Sequence, residues 1–496
     1  MPPASNPHLG PVDPDKAPFI ELLREGRAFP TVLVLLSAMS QALQVLVIAI
    51  IMPTVVADLG GAAYFTWPAM LYTIAGIVGA VCLAPFWAVL GARNGYAVSG
   101  IVFLLGTIGC ALAPTMAALV AARTVQGLAG GLIMAGSVAV ISTMFDGRHR
   151  TRLLAIQQGT WTTSHLLGPL VGGLFVQIEW WRGSFWVMLP FIIGFTLISW
   201  LKVPERLTDG ERRPLGAVIA SGGIPLTRIG VLTAGVVCLA LAGPVDDALA
   251  RASLVTAAIV ILWLAFRMDQ NSTTRLFPAH ALNPRSVVGL ALWVLMLGGA
   301  VQNAVTLFLP LLLQVVHGVT PLFINFVTIT ISLGWTVGAF SVSGLSGNRE
   351  RFALWFGPIL MLIGLAIITI TAQLPLLAVL TAGAFIMGMG VGTHNVPLIA
   401  RTLAHSPLGE EKVIAGALPT VRSLGTAFGA ASAGLLANIA GLTDVTDAGV
   451  VGPAITVIYG VHVLPFVVVV IFMVRFARLA IPREARGPRL SPGSAE

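Results

Sequence analysis

Residues 119–143 read "LVAARTVQGLAGGLIMAGSVAVIST". An apolar run of about 25 residues, at roughly 1.5 Å per residue, is long enough as a helix to cross a hydrocarbon core of about 30 Å. Its single charge, Arg123, lies near the outer third, four residues before Gly127, with Gly130 and Gly131 a turn further on. An arginine inside a membrane is expensive and faces a bundle interior or water. Glycines at three- and four-residue spacing let a second helix pack closely. The stretch therefore reads as one helix of a multi-helix membrane bundle with something polar inside it.

Working outward, comparable runs recur from Thr31 to Ala480, over 31–55, 68–90, 96–116, 119–143, 153–177, 184–203, 228–243, 250–267, 286–314, 321–345, 352–372, 375–400, 413–440 and 453–477. The seventh is the weakest, because "GPVDD" cuts it short. The chain has 496 residues, 56% of them hydrophobic and only 10% charged, with a mean hydropathy of +0.92. A soluble domain carries about 25% charged residues. No segment shows the ten-residue alternation that marks a membrane barrel strand. The expected fold class is an all-α polytopic membrane protein of fourteen transmembrane helices.

The net charge of +8 does not point to nucleic acid, because the basic residues lie in short loops rather than on one folded face. Of the 28 Lys and Arg, all but Arg123, Arg182, Arg251 and Arg422 fall in both tails or at the loops following even-numbered spans. The opposite loops hold Asp58, Glu179, Asp246, Asp247, Asp444 and Asp447. That asymmetry predicts a cytoplasmic (inner) membrane protein with both termini in the cytoplasm. Residues 1–28 lack an apolar core and cleavage site, so they read as a cytoplasmic tail with a short interfacial helix from Phe19 to Arg27, not as a signal peptide. Cys82, Cys110 and Cys238 have no metal-ligand spacing and read as small packing residues.

Six spans precede the polar linker 204–227, two follow it, and six more come after a second linker, 268–285. The expected organisation is a tail (1–30), a six-helix bundle (31–203), a linker with two inserted helices (204–285), a second six-helix bundle (286–480) and a tail (481–496). Transporters are commonly built from such repeats around a midplane site.

The fifth span contains "LLGPLVGGLF" (166–175), in which Gly168-Pro169 bends the helix and Gly172 and Gly173 flatten one face. Pro in a spanning helix requires neighbours that re-satisfy the freed backbone groups. At these residues the sequence resembles the major facilitator superfamily. Arg123, Gln126 and Gly127 match its fourth-helix motif, and Gly168, Pro169, Gly172 and Gly173 match the fifth-helix "antiporter" motif typical of exporters. "TVVADLGG" (54–61), Trp67, "EWWRGSFWVMLP" (179–190) and "LPTVRSLGTAFGAASAG" (418–434) resemble the fourteen-helix drug:proton antiporter branch. The resemblance covers nearly the whole chain outside the tails and implies a major-facilitator-type fold, two six-helix bundles plus two inserted helices.

Two departures stand out. Where that branch carries a first-helix Asp in a Leu-Asp-x-Thr pattern, this chain has Gln44. Its loop between helices two and three reads "APFWAVLGARNGYAV" (84–98): Ala92 replaces the acid, Tyr96 and Ala97 replace a basic pair, and Arg93 and Gly95 remain. Arg93, Gly95, Gly127, Gly168, Pro169, Gly172, Gly173 and Arg422 are expected to serve conformational change.

No span carries an Asp or Glu near its middle. Proton-coupled exporters commonly use a buried carboxylate with a raised pKa, so any proton coupling here would rest on His165, His394 or His462. Gln157, Trp161, His165 and Pro169 recur every four residues and share one helix face, either a cavity wall or a polar packing seam. The resemblance implies that the first and fourth helices of each bundle line the central cavity. Their polar residues are Gln41 and Gln44, Arg123 and Gln126, Gln302 and Asn303, and His394 and Asn395; Trp161 joins them as a stacking surface. A buried amide needs a partner, a water or a solute, and Gln44 is expected to face this cavity. The cavity is then amide-rich and net positive, which disfavours cations.

"GMGVGTHN" (388–395) follows a membrane helix and no strand, so it does not read as a dinucleotide loop. No metal and no cofactor is expected. The expected partners are a small-molecule solute, the lipid bilayer and, as a candidate coupling ion, the proton; no nucleic acid is expected, and the chain is expected to act as a monomer. The expectation is a secondary transporter, not an enzyme, moving a small neutral or anionic, aromatic or amphipathic solute outward by alternating access. The alternative is an importer or facilitator of an aromatic nutrient, for example a vitamin such as riboflavin. An intramembrane enzyme would need convergent nucleophiles, paired acids or a metal set, and the spans offer none.

Overall fold

A computed structural model of the chain describes residues 27–145, 147–205, 226–272, 277–278, 281–342, 345, 347–407, 410–442 and 444–481. The side chains of Trp161, His165 and Pro169, most of the 204–227 linker, and residues 1–26 and 482–496 lie outside the described residues. Among the described residues, fourteen helices of 14 residues or more occupy the fourteen expected spans. The first six are α1 (Ala28–Leu59), α2 (Trp67–Leu90), α3 (Ala92–Ala111), α4 (Met116–Met144), α5 (Gly147–Gln177) and α6 (Leu189–Lys202). The inserted pair is α7 (Leu226–Leu241) and α8 (Ala248–Gln270). The last six are α9 (Val287–Leu311), α10 (Pro321–Ser341), α11 (Gly347–Thr371), α12 (Leu377–Ala404), α13 (Glu411–Ile439) and α14 (Ala448–Ala480).

Eleven of these, among the described residues, are long and apolar enough to span a bilayer, α6 together with the short helical segment Gly183–Trp186 that precedes it. The other three are α5, α7 and α13. The first turns of α5 carry "GRHRTR" and its middle "QQGTWTTSH"; α13 carries "PTVRS". The described part of helix α7 has 16 residues, about 24 Å at the usual rise.

Side chains fix several helix ends. Thr115 Oγ1 accepts from Ala118 N at 3.2 Å, Asp247 Oδ2 from Ala250 N at 2.7 Å, Ser286 Oγ from Gly289 N at 3.0 Å and Asp447 Oδ1 from Gly449 N at 2.8 Å. Each satisfies one of the amides a helix start leaves orphaned. Gly91, at φ 79°, ends α2 and opens α3 in a single residue, a conformation that favours glycine.

Within each bundle, glycines set the tightest contacts. Between α2 and α4, a Cβ on Gly131 would lie 1.9 Å from the Gly76 carbonyl oxygen. Between α10 and α12, a Cβ on Gly388 would lie 1.9 Å from Ile331 O, and one on Gly392 2.0 Å from Trp335 O. No L side chain fits in either place, so the backbones themselves form the contact. Gly390 turns the other way, onto Gly357 of α11. The glycine run of 388–392 is thus a two-sided packing surface.

The two bundles meet along α2 with α13 and α5 with α10, and α1 also touches α9. At the end bearing the 60–66 and 440–447 loops, Asn438 Nδ2 donates to Ala63 O at 3.1 Å. There Phe65 also stacks on Phe308 with centroids 5.1 Å apart. The inserted pair packs α7 on α8, and α7 rests on α13 and α2. Leu249, Ile259 and Trp263 of α8 are exposed, which suits a helix facing lipid.

Candidate functional site

Arg123 is fully buried at the junction of α1, α2 and α4. Gly127, one turn on, admits α2: a Cβ there would lie 2.2 Å from the Tyr72 carbonyl oxygen. Tyr72 in turn places its ring under the guanidinium, 4.0 Å from centroid to Cζ, a contact worth roughly 2 kcal/mol when desolvated. The guanidinium donates through Nη1 to Gln126 Oε1 at 2.6 Å and to Gln44 Oε1 at 3.4 Å. Through Nε it donates to Pro68 O at 3.4 Å. Gln126 Nε2 passes the chain on to Thr107 Oγ1 of α3 at 2.8 Å. The Tyr72 hydroxyl donates to Gln41 Oε1.

Among the described residues, Arg123 Nη2, Gln41 Nε2 and Gln44 Nε2 are all buried N–H groups without an acceptor. Each unmet donor costs about 1–3 kcal/mol, and more on a charged group. The arrangement is therefore rich in donors, and no Asp or Glu takes part in it. Its chemistry suits acceptors: a carbonyl, a carboxylate, a phenolate or water.

A second arginine sits in the other bundle. Arg422 of α13 donates through Nη2 to Gln302 Oε1 of α9 at 3.4 Å and lies 5.1 Å over the Trp335 ring of α10. Asn303 donates to Thr426 O at 3.0 Å. In each bundle, then, the first helix offers a glutamine oxygen to an arginine, fully buried at Arg123 and half-buried at Arg422. His394 and Asn395 are buried on α12; the His394 Nδ1–H donates to Gly390 O at 2.7 Å. His462 does the same to Ile458 O at 2.7 Å. A backbone carbonyl accepts only, so both rings carry their proton on Nδ1.

The remaining expected residues fall elsewhere. Gly168 and Gly172 pack onto α1, where Cβ atoms on them would lie 2.7 Å and 3.1 Å from Leu46 Cβ and Ile50 Cβ respectively. Gly173 is buried. Gln157 donates to Ser137 Oγ of α4 at 3.2 Å, and Ser37 of α1 donates to the same atom at 3.0 Å. Arg93 Nε donates to Trp200 O at the end of α6. A Cβ on Gly95 would lie 2.6 Å from Trp87 Cδ1. Sequence reasoning missed Tyr72, Thr107 and Trp335. Tyr72 stands four residues before Gly76, on the face that meets α4, and that spacing was its only trace in the sequence.

The chain matches the family model described as Major Facilitator Superfamily over residues 33–430. It is 28% identical over 424 residues to a probable multidrug-efflux transporter of Mycobacterium tuberculosis, covering 84% of this chain and 88% of the relative. An efflux pump of Dothistroma septosporum is 25% identical over 342 residues, 66% of this chain and 57% of that one. Among solved structures, a D-xylose–proton symporter shares the fold with a TM-score of 0.64 at 14% identity, over 90% of this chain and 97% of that one. A peptide transporter crystallised with sulfate gives a TM-score of 0.65 at 16% identity, over 91% and 95%. The chain is a transporter rather than an enzyme, and it belongs to the major facilitator superfamily.

Proposed function

We propose that this secondary transporter exports a small neutral or anionic solute, aromatic or amphipathic in character, by alternating access between α1–α6 and α9–α14. The observation that carries the solute class is the buried donor cluster of Arg123 Nη2, Gln41 Nε2 and Gln44 Nε2. A cation brought near Arg123 in low dielectric meets an unscreened like charge, whereas an acceptor meets three unmet N–H groups. Export is supported by the relatives, which are named as a probable multidrug-efflux transporter and an efflux pump. The loop charges support a cytoplasmic membrane location with both termini inside. On that orientation the contacts of Asn438 with Ala63 and of Phe65 with Phe308 close the outer end. The proton, if it is the coupling ion, passes through histidine, with His394 and His462 the described candidates.

The test is an untargeted comparison of small molecules in cells and in medium, with and without the protein. A compound lost from cells and gained in the medium, bearing acceptor groups and no fixed cation, is the expected result. Accumulation inside cells would replace export with import. A quaternary or permanently cationic solute would overturn the donor-cluster reading.

A further inference from the structure

A cleft of about 450 Å³ opens between the basic ends of α11 and α14, lined by Asn348, Arg351, Phe352, Trp355, Val474 and Arg478. Residues 348, 351, 352 and 355 recur at three- and four-residue spacing and so share one face of α11. Arg351 and Arg478 make no ion pair or hydrogen bond among the described residues. The neighbouring acid, Glu350, is engaged elsewhere: both its oxygens are held by Arg401 of α12, with Nε to Oε1 at 2.7 Å. Among the described residues, two guanidinium groups therefore face one cleft without a counter-charge. Beside them, Phe352 packs edge-on to Trp355 at 4.8 Å and stacks on Phe356 at 4.9 Å. Phe352 is 48% exposed.

Aromatic rings and arginines at one level of a spanning helix mark the membrane–water interface. The guanidinium fork matches a phosphate group in geometry as well as charge. Basic clefts between spanning helices at this depth take anionic headgroups. We propose that this cleft binds the phosphate headgroup of an anionic phospholipid. Arg351 and Arg478 hold the phosphate, and Phe352 and Trp355 seat the glycerol and first acyl carbons. The site lies apart from the Arg123 cluster, which is in the other bundle.

Purified full-length protein in mild detergent, titrated with phosphatidylglycerol and read by native mass spectrometry, tests this. Binding should weaken about thirtyfold in the Arg351→Ala/Arg478→Ala double variant, from roughly one surface-arginine increment at each position. Phosphatidylcholine binding should be weak and the same in both proteins. Equal phosphatidylglycerol binding by the two proteins would overturn the assignment. So would competition by inorganic phosphate alone at low millimolar concentration, which would make this a site for free anions. Should the double variant fail to fold, photoactivatable phosphatidylglycerol on the wild-type protein decides. Labelling within 347–356 and 470–480 supports the site, and labelling confined elsewhere overturns it.

Discussion

Gln41 of α1 fills the space that a side chain on Gly130 of α4 would need: a Cβ there would lie 2.3 Å from Gln41 Nε2 and 2.8 Å from its Oε1. Gly130 therefore seats the amide that accepts from Tyr72, and Tyr72 in turn supports Arg123. One methyl group on Gly130 should displace Gln41 and disturb the whole cluster. Gly130→Ala should lower transport roughly tenfold, the scale of overpacking by a methylene-sized group, about 1–3 kcal/mol. Gln41→Ala in the same chain should relieve that clash, so the double variant should be no worse than Gln41→Ala alone. Additive losses in the transport assay would mean that the two residues act independently.

Arg123 contributes more to activity than to stability. It is fully buried, yet two of its three hydrogen bonds are 3.4 Å long and Nη2 has no acceptor. Removing a buried, loosely paired charge also removes its desolvation penalty, which offsets much of the lost bonding. Arg123→Ala should therefore cut transport by roughly tenfold or more, the worth of a charged hydrogen bond of about 1.5–3 kcal/mol. Insertion and unfolding temperature should change little. Lys carries the charge without the planar fork that reaches Gln126, Gln44 and Pro68 together, so Arg123→Lys should not restore flux. Full transport with either residue would remove Arg123 from the mechanism.

An arginine among apolar residues and glycines announced its burial, because only a bundle interior tolerates it. Its partner Tyr72, and Thr107 one hydrogen bond further on through Gln126, come from helices with no comparable anomaly, since tyrosine and threonine are ordinary in a span. At the loop motif, Ala92 and Tyr96 read as lost charges. The structure gives the reason: Ala92 is 4% exposed and Tyr96 fully buried. Tyr96 is wedged edge-on against Trp87 at 5.8 Å and Phe195 at 5.0 Å, with its hydroxyl donating to Ile133 O at 3.1 Å. An acid or a basic pair there would be desolvated. Helix boundaries followed hydropathy only loosely. The third span was expected over 96–116, but Gly91 starts the helix at Ala92, and the turn before the Thr115 cap ends it at Ala111.

His317 follows the π-helical turn Leu312–Val316 and lies beyond the membrane-spanning part of that helix. Its Nε2–H donates to Ala372 O at 3.1 Å, tying α9 to the end of α11. Burial holds its pKa below the usual imidazole value, and the bond to Ala372 only partly opposes this. The folded protein thus prefers the neutral ring more than the unfolded chain does. The associated stability is complete above about pH 6.5, the unfolded value, and is lost as pH falls through the lower folded value. Unfolding temperature should decline on acidification below that point, and His317→Gln should flatten the decline. An unchanged slope in the variant would assign the acid sensitivity to other groups.

Gln44 offers the most direct test of solute class. Its oxygen faces Arg123 Nη1 at 3.4 Å, and its own Nε2 has no partner. Gln44→Glu keeps the length of the side chain, replaces the unmet N–H with an oxygen and sets a negative charge against the guanidinium. The cluster then changes from net positive to neutral and loses a donor. If the bound solute approaches this cluster, preference should move from anionic towards cationic or neutral compounds. The shift should be roughly tenfold or more, because charges only a few ångströms apart interact by several kcal/mol where water is scarce. Gln44→Asp should shift the profile less, since a side chain one methylene shorter stands further from Nη1. Competition of a fixed set of anionic, neutral and cationic compounds for export would measure this. An identical profile in all three proteins would make Gln44 a packing residue, with the solute bound elsewhere.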